Sequence, residues 1–129
     1  MTQDTRHWWR VAFWATLGLG TWAALRPVMA EEWFSGQDKV QHLLAYGGLY
    51  GLGRLAFSWH GWRLSGALLT YGVIIELLQS LTPHRLTSAA DVVANGAGLA
   101  VGALVLACVQ RRWPALWTAM LAGGEPECR

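Results

Sequence analysis

Charge is scarce in this sequence: Asp, Glu, Lys and Arg make up only 14% of its 129 residues. That is too little for an ordinary water-soluble domain of this size. The formal net charge is +2, and Lys and Arg stand at the ends of apolar segments without forming a run, which sets aside a nucleic-acid partner. Cysteine is nearly absent. Cys108 lies in an apolar run and Cys128 in a polar tail, a pair with neither metal-ligand spacing nor the makings of a disulfide framework. A nucleophile elbow, a P-loop and a zinc-protease signature are also missing. From these absences no cofactor and no resident metal are expected.

What the chain has instead is apolar surface. Hydrophobic residues make up 53% of it, and nine are tryptophans, so the expected solvent is lipid. A helix needs about 20 mostly apolar residues to cross the hydrocarbon core, and four stretches approach that length. Trp8 to Leu25 follows a short head with Arg6 and Arg10 and stops before Arg26 and Pro27. Because Val28, Met29 and Ala30 precede Glu31, a cleaved signal sequence is the alternative reading of this run, although its length and its tryptophans favour a retained helix. A second helix is expected from Asp38 to Trp59, with its apolar body between Leu43 and Phe57 and with Arg54 close enough to the Trp59 end to reach the headgroups. Only His60 and Gly61 separate it from the third run, Trp62 to Leu81, which predicts a helical hairpin. Thr82, Pro83, His84 and Arg85 form a loop. The fourth helix is Ala90 to Val109, closed by Arg111 and Arg112, with Trp113 and Trp117 beyond. The expected fold is therefore all-α, a polytopic membrane protein built as a compact bundle of about four transmembrane helices. It divides into residues 1–25, a three-helix core over 38–109, and an interfacial amphipathic segment with a disordered tail over 110–129. Gly47 and Gly51 are spaced for close packing, as are Ala90, Ala94, Gly98 and Gly102. Those stripes serve equally for packing within the chain, for a homo-oligomer, or for another membrane protein.

Counting basic residues orients the bundle. With the N-terminus in the cytoplasm, Arg6, Arg10, Arg54, Arg63, Arg111, Arg112 and Arg129 fall inside, and Arg26, Lys39 and Arg85 outside. The positive-inside rule favours that arrangement and puts both termini in the cytoplasm. The unusual polar residues then share the outer halves of their helices. Asp38, His42 and Tyr46 follow at steps of four on one face. Glu76 and Gln79 lie about one turn from the end of the third helix, and Asp91 and Asn95 open the fourth.

Each of these residues also has a plain structural explanation. A carboxylate among Val73, Ile74, Ile75, Leu77 and Leu78 is costly, about 2.5 to 3.5 kcal/mol at the bilayer centre. Glu76 therefore needs a partner or a proton, and Arg85 and His42 are the candidates; it serves either function or helix-to-helix adhesion. Asp38 and Asp91 read equally well as helix caps, His42 as a hydrogen-bonded structural histidine, and Asn95 as a bridge between helices. Their common depth makes the joint case.

The same residues carry a resemblance. The stretch from Asp38-Lys39 through His42 to Tyr46 resembles the opening of the second helix in the VanZ-like family of bacterial membrane proteins. Glu76, Gln79, Arg85, Asp91, Asn95, Gly98 and Gly102 are similar in spacing to that family's second half. The match spans Asp38 to Gly102. It departs at Gly47, where a bulkier residue is usual, and at His84, where glycine is common. The resemblance implies a multi-pass protein of the bacterial inner (plasma) membrane, in a family named for a protein associated with resistance to the glycopeptide antibiotic teicoplanin. It thereby links the chain to the cell envelope.

Three functions compete on these residues. In the first, an outward-facing polar site formed by Asp38, His42, Tyr46, Glu76, Gln79, Arg85, Asp91 and Asn95 binds a lipid or cell-wall precursor, with Arg85 meeting a phosphate. The surrounding acids oppose simple anion capture unless one is protonated or a metal intervenes. In the second, the polar layer only locks helices, and Gly47, Gly51, Ala94, Gly98 and Gly102 dock a membrane-protein partner. In the third, the chain is a membrane enzyme acting on a lipid-linked phosphate, with Asp38, His42, Glu76 and Asp91 as acid/base groups or ligands of a divalent ion.

Overall fold

The computed structural model describes residues 3–26, 35–81 and 89–122. Within them the chain is all-helical, with α1 (Gln3–Leu25), α2 (Gln37–Ala56), α3 (Gly61–Ser80), α4 (Ala89–Arg112) and α5 (Pro114–Ala122), and no strand. The expected disordered end of the tail lies outside the described residues.

Local chemistry sets the helix ends. α2 begins after Gly36, whose φ of 86° is left-handed and suits a residue without a side chain. Asp38 is consequently inside the first turn and is not the cap that its sequence context allows. α2 ends at Ala56 because Phe57 turns to an extended conformation. Its ring packs edge-on against Phe13, with centroids 5.2 Å apart. The α2–α3 connection therefore runs from Phe57 to His60, longer than the His60-Gly61 link expected, and Gly61 opens α3. Pro114 opens α5, a position where its missing N–H costs nothing.

Packing contacts define an up-and-down arrangement. α2 and α4 form the most extensive pair and run parallel, since Leu43 meets Gly98 and Gly47 meets Gly102. α3 is antiparallel to both: its Gly72 faces Tyr46 and Asn95, and its Leu64 faces Gly53. α1 is antiparallel to α2, with Phe13 against Gly53 and the Arg10 side chain donating to the Ala56 carbonyl at 3.3 Å. The hydrophobic core is Phe13, Tyr46, Leu49, Tyr50, Ala56, Leu64, Leu68, Leu99 and Leu106. α5 folds back so that the Trp9 indole N–H donates to the Met120 carbonyl at 3.2 Å.

The close approach of α2 and α4 is made by Gly47, Gly98 and Gly102. An ideal Cβ on Gly47 would lie 3.2 Å from the Gly98 carbonyl, and one on Gly102 would lie 2.8 Å from the Gly47 carbonyl. Gly51 has no such role, because a Cβ there meets nothing within 4 Å. The crossing is centred one turn earlier than the Gly47–Gly51 spacing suggests, and Leu43 occupies the second position. Ala94 is half-buried one turn before Gly98.

Large apolar side chains face outward on every long helix, among them Trp14 and Trp22 on α1, Leu44 on α2, Ile74 and Leu77 on α3, and Val93 and Leu104 on α4. α4 alone among the described helices is long and apolar enough to cross a membrane by length and composition, with a mean hydropathy of 2.2 over its best window. α1 is diluted on such scales by tryptophan, and α2 by tyrosine and glycine. The two ends of the bundle also differ in charge. The α1 start, α2 end, α3 start and α4 end carry Arg6, Arg10, Arg54, Arg63, Arg111 and Arg112, whereas the opposite end carries Asp38, Glu76 and Asp91 with only Arg26 and Lys39 as cations among the described residues.

Candidate functional site

The acidic end is also where the buried polar side chains collect. Glu76, Gln79 and Asn95 are the buried polar or charged residues among those described, and Asn95 is only 1% exposed. Their positions follow from the parallel α2–α4 pair with α3 laid antiparallel across it. Steps of four on α2 put Asp38, His42 and Tyr46 on one face, and the same spacing on α4 puts Asp91 and Asn95 opposite them. The descending α3 brings Glu76 to the level of His42.

The contacts are specific. His42 Nδ1 and Asn95 Oδ1 are 2.9 Å apart; because an amide oxygen only accepts, Nδ1 is the donor in this bond, which in a neutral ring makes Nε2 the acceptor. His42, Glu76 and Asp91 each offer one ligand atom, and these atoms lie within 4.8 Å of one another. Lys39 Nζ donates to Asp38 Oδ2 at 2.9 Å and stands 3.8 Å from Asp91 Oδ1. The second distance is an ion pair without a hydrogen bond, so buried Asp91 Oδ1 has no hydrogen-bond partner among the described residues. Asp38 precedes the apolar body of its helix, and the Lys39 hydrogen bond holds its carboxyl below the usual carboxylate range.

Gly72 makes room for this layer, since a Cβ there would lie 2.6 Å from the Tyr46 hydroxyl and 2.7 Å from Asn95 Nδ2. Gln79 Nε2 donates to the Ala24 carbonyl at 2.8 Å, and the Thr21 and Tyr71 hydroxyls share a hydrogen bond at 2.6 Å. These two bonds hold the end of α1 against α3.

Between α1 and the polar layer lies a cavity of about 530 Å³. Asp38, Gln41, His42, Tyr46, Gln79 and Asp91 are among its polar lining, and Leu17, Leu19, Leu49 and Ile75 among its apolar lining. Its size is that of a small-molecule or headgroup site.

The structure thus brings Asp38, His42, Tyr46, Gln79 and Asp91 to one cavity, links Asn95 to it through His42, and sets Glu76 beside His42 and Asp91. Arg85 lies outside the described residues. Reading the sequence missed Lys39, Tyr71, Gly72 and the α1 wall as parts of the site. Lys39 gives no periodic signal, because neighbours on a helix do not ordinarily face each other. A small residue at Gly72, between Tyr71 and Glu76 in an apolar helix, was the available sign that something approaches closely there. Comparison of the chain with family models, with curated proteins and with solved structures found no match.

Proposed function

We propose that the chain is a polytopic inner-membrane protein whose outward-facing cavity binds the polar group of a lipid or a lipid-linked cell-envelope precursor. The observation that carries this reading is the mixed lining of the 530 Å³ cavity, in which carboxylate, imidazole, amide and phenol groups stand together with leucine and isoleucine side chains. Such a lining suits an amphiphile, whose head needs hydrogen bonds and whose neck needs apolar contact.

Two further observations support a lipid setting. The outward-facing Leu, Ile, Val and Trp side chains on α1 to α4 need an apolar solvent. The arginine-rich end, where Trp59, Trp62 and Trp113 are exposed, has the composition of a cytoplasmic membrane interface. The opposite end, with the cavity, then faces outward. The resemblance to the VanZ-like family agrees with an envelope role, and a contribution to glycopeptide tolerance is part of this proposal.

Native mass spectrometry of the protein extracted gently from its own membranes tests the reading. Wild type is expected to retain a phosphate-bearing lipid that Arg85→Ala and Gln41→Leu lose while remaining helical and monodisperse. A lipid-free mass for wild type, or equal retention by the folded variants, rejects the site.

A further inference from the structure

We propose that His42, Glu76 and Asp91 form a binding site for a divalent transition-metal ion, such as Zn²⁺ or Mn²⁺, in the wall of the cavity. One imidazole nitrogen and two carboxylates make a mixed set that suits first-row divalent ions better than Mg²⁺ or Ca²⁺, which take oxygen almost exclusively. The three residues come from three different helices, and their ligand atoms lie within 4.8 Å of one another. Donors that share an ion at about 2.1 Å stand roughly 3 to 3.5 Å apart, so rotamer adjustments of about an ångström close the set.

Two independent features point the same way. The first is the orientation of His42. Asn95, almost fully buried, accepts from Nδ1 at 2.9 Å, an arrangement in which the neutral ring presents Nε2 to a ligand. A ligand histidine is ordinarily held in this manner, its other nitrogen fixed by an oxygen acceptor behind it. The second is Asp91, whose Oδ1 is buried without a hydrogen-bond partner among the described residues and has only the Lys39 ammonium at ion-pair distance. Lys39 is itself divided between Asp38 and Asp91. A buried carboxylate oxygen served only by a shared, distant ammonium retains capacity for a cation.

The metal resolves a difficulty in the binding reading. Three carboxylates beside a cavity repel a phosphate, whereas an ion held by two of them, with coordination positions left toward the cavity, attracts one. The site nevertheless stands on its donors alone and does not depend on which headgroup fills the cavity. Metal uptake is read without lipid and lipid retention without added metal, so failure of either proposal is distinguishable from failure of the other.

The test uses the full chain in lipid-free detergent, with Cys108 and Cys128 replaced by alanine and with His7→Gln, His60→Gln and His84→Gln, so that His42 is the one remaining histidine. After equilibrium dialysis against Zn²⁺ or Mn²⁺ with millimolar Mg²⁺ present, elemental analysis is expected to find about one ion per chain, with Zn²⁺ the tighter as the general order of divalent affinities requires. Pulsed EPR of the Cu²⁺-loaded protein is expected to show coupling to one imidazole. His42→Gln and Asp91→Asn should weaken Zn²⁺ binding at least tenfold, and Asn95→Leu, which touches no ion, about 10- to 100-fold. Circular dichroism and gel filtration establish that each variant is folded, and the EPR measurement needs no site variant. Three results overturn the site: no ion retained, as expected if Arg85 occupies Glu76 instead; retention unchanged in folded His42→Gln and Asp91→Asn; or a copper spectrum lacking an imidazole nitrogen.

Discussion

A Cβ added to Gly98 would overlap the Leu43 carbonyl oxygen and come within 3.0 Å of the Leu43 Cα. Backbone cannot rotate away as a side chain can, so any larger residue at Gly98 must push α2 and α4 apart. That pair carries His42, Asn95 and Asp91, so displacement there also disassembles the polar layer. Gly98→Val is expected to cost at least about 1 to 3 kcal/mol, read as a fall in the thermal midpoint of the purified protein in detergent. Gly51→Ala meets open space and exchanges a poor helix former for a good one, so its midpoint should be equal or higher. Matching losses for the two variants would contradict the parallel crossing.

Among the elements, α1 contributes most that its sequence does not advertise. It looks like a separate hydrophobic leader, yet it inserts Phe13 into the core, closes the cavity with Leu17, Leu19 and Gly20, and is tied to α3 at Thr21 and Ala24. Removing α1, as cleavage after Ala30 would do, leaves the cavity without a wall. The Gln79 bond to the Ala24 carbonyl ties α3 to the last turn of α1. Replacing Gln79 with leucine should cost about 1 kcal/mol, the usual net contribution of one hydrogen bond. Hydrogen exchange read by mass spectrometry should then show faster exchange in the last turn of α1 and little change in α4. Uniform change throughout the bundle would mean that the bond does not act locally.

For the molecule as a whole, the separation of charge predicts an orientation. Six arginines crowd one end of the bundle and three carboxylates the other, and positively charged ends stay in the cytoplasm. In a chain lacking its two native cysteines, Ser35→Cys should react with a membrane-impermeant maleimide on intact spheroplasts. Thr118→Cys, on α5 at the opposite end, should react only after the membrane is opened. Reversed labelling would turn the cavity toward the cytoplasm and remove the reason to expect an envelope precursor. Labelling of both positions from outside would contradict an even number of crossings.

Composition and apolar spacing were enough to establish helices, since long apolar runs bounded by glycine, proline and charged residues read as helices rather than strands. The positions of Asp38, His42, Glu76 and Asp91 could likewise be read as a shared depth, because helical rise converts residue number directly into height. Azimuth was not available in the same way. That α2 pairs in parallel with α4 depends on the absence of Cβ atoms at Gly47, Gly98 and Gly102 taken together, and a GxxxG spacing does not say which helix it will meet. Only the tertiary structure decided that Gly47 packs against α4 while Gly51 faces open space, that Lys39 is shared between two acids, and that Asn95 fixes the His42 ring. Those relations are distances between helices, and a linear pattern records the face a residue occupies without recording what arrives opposite it.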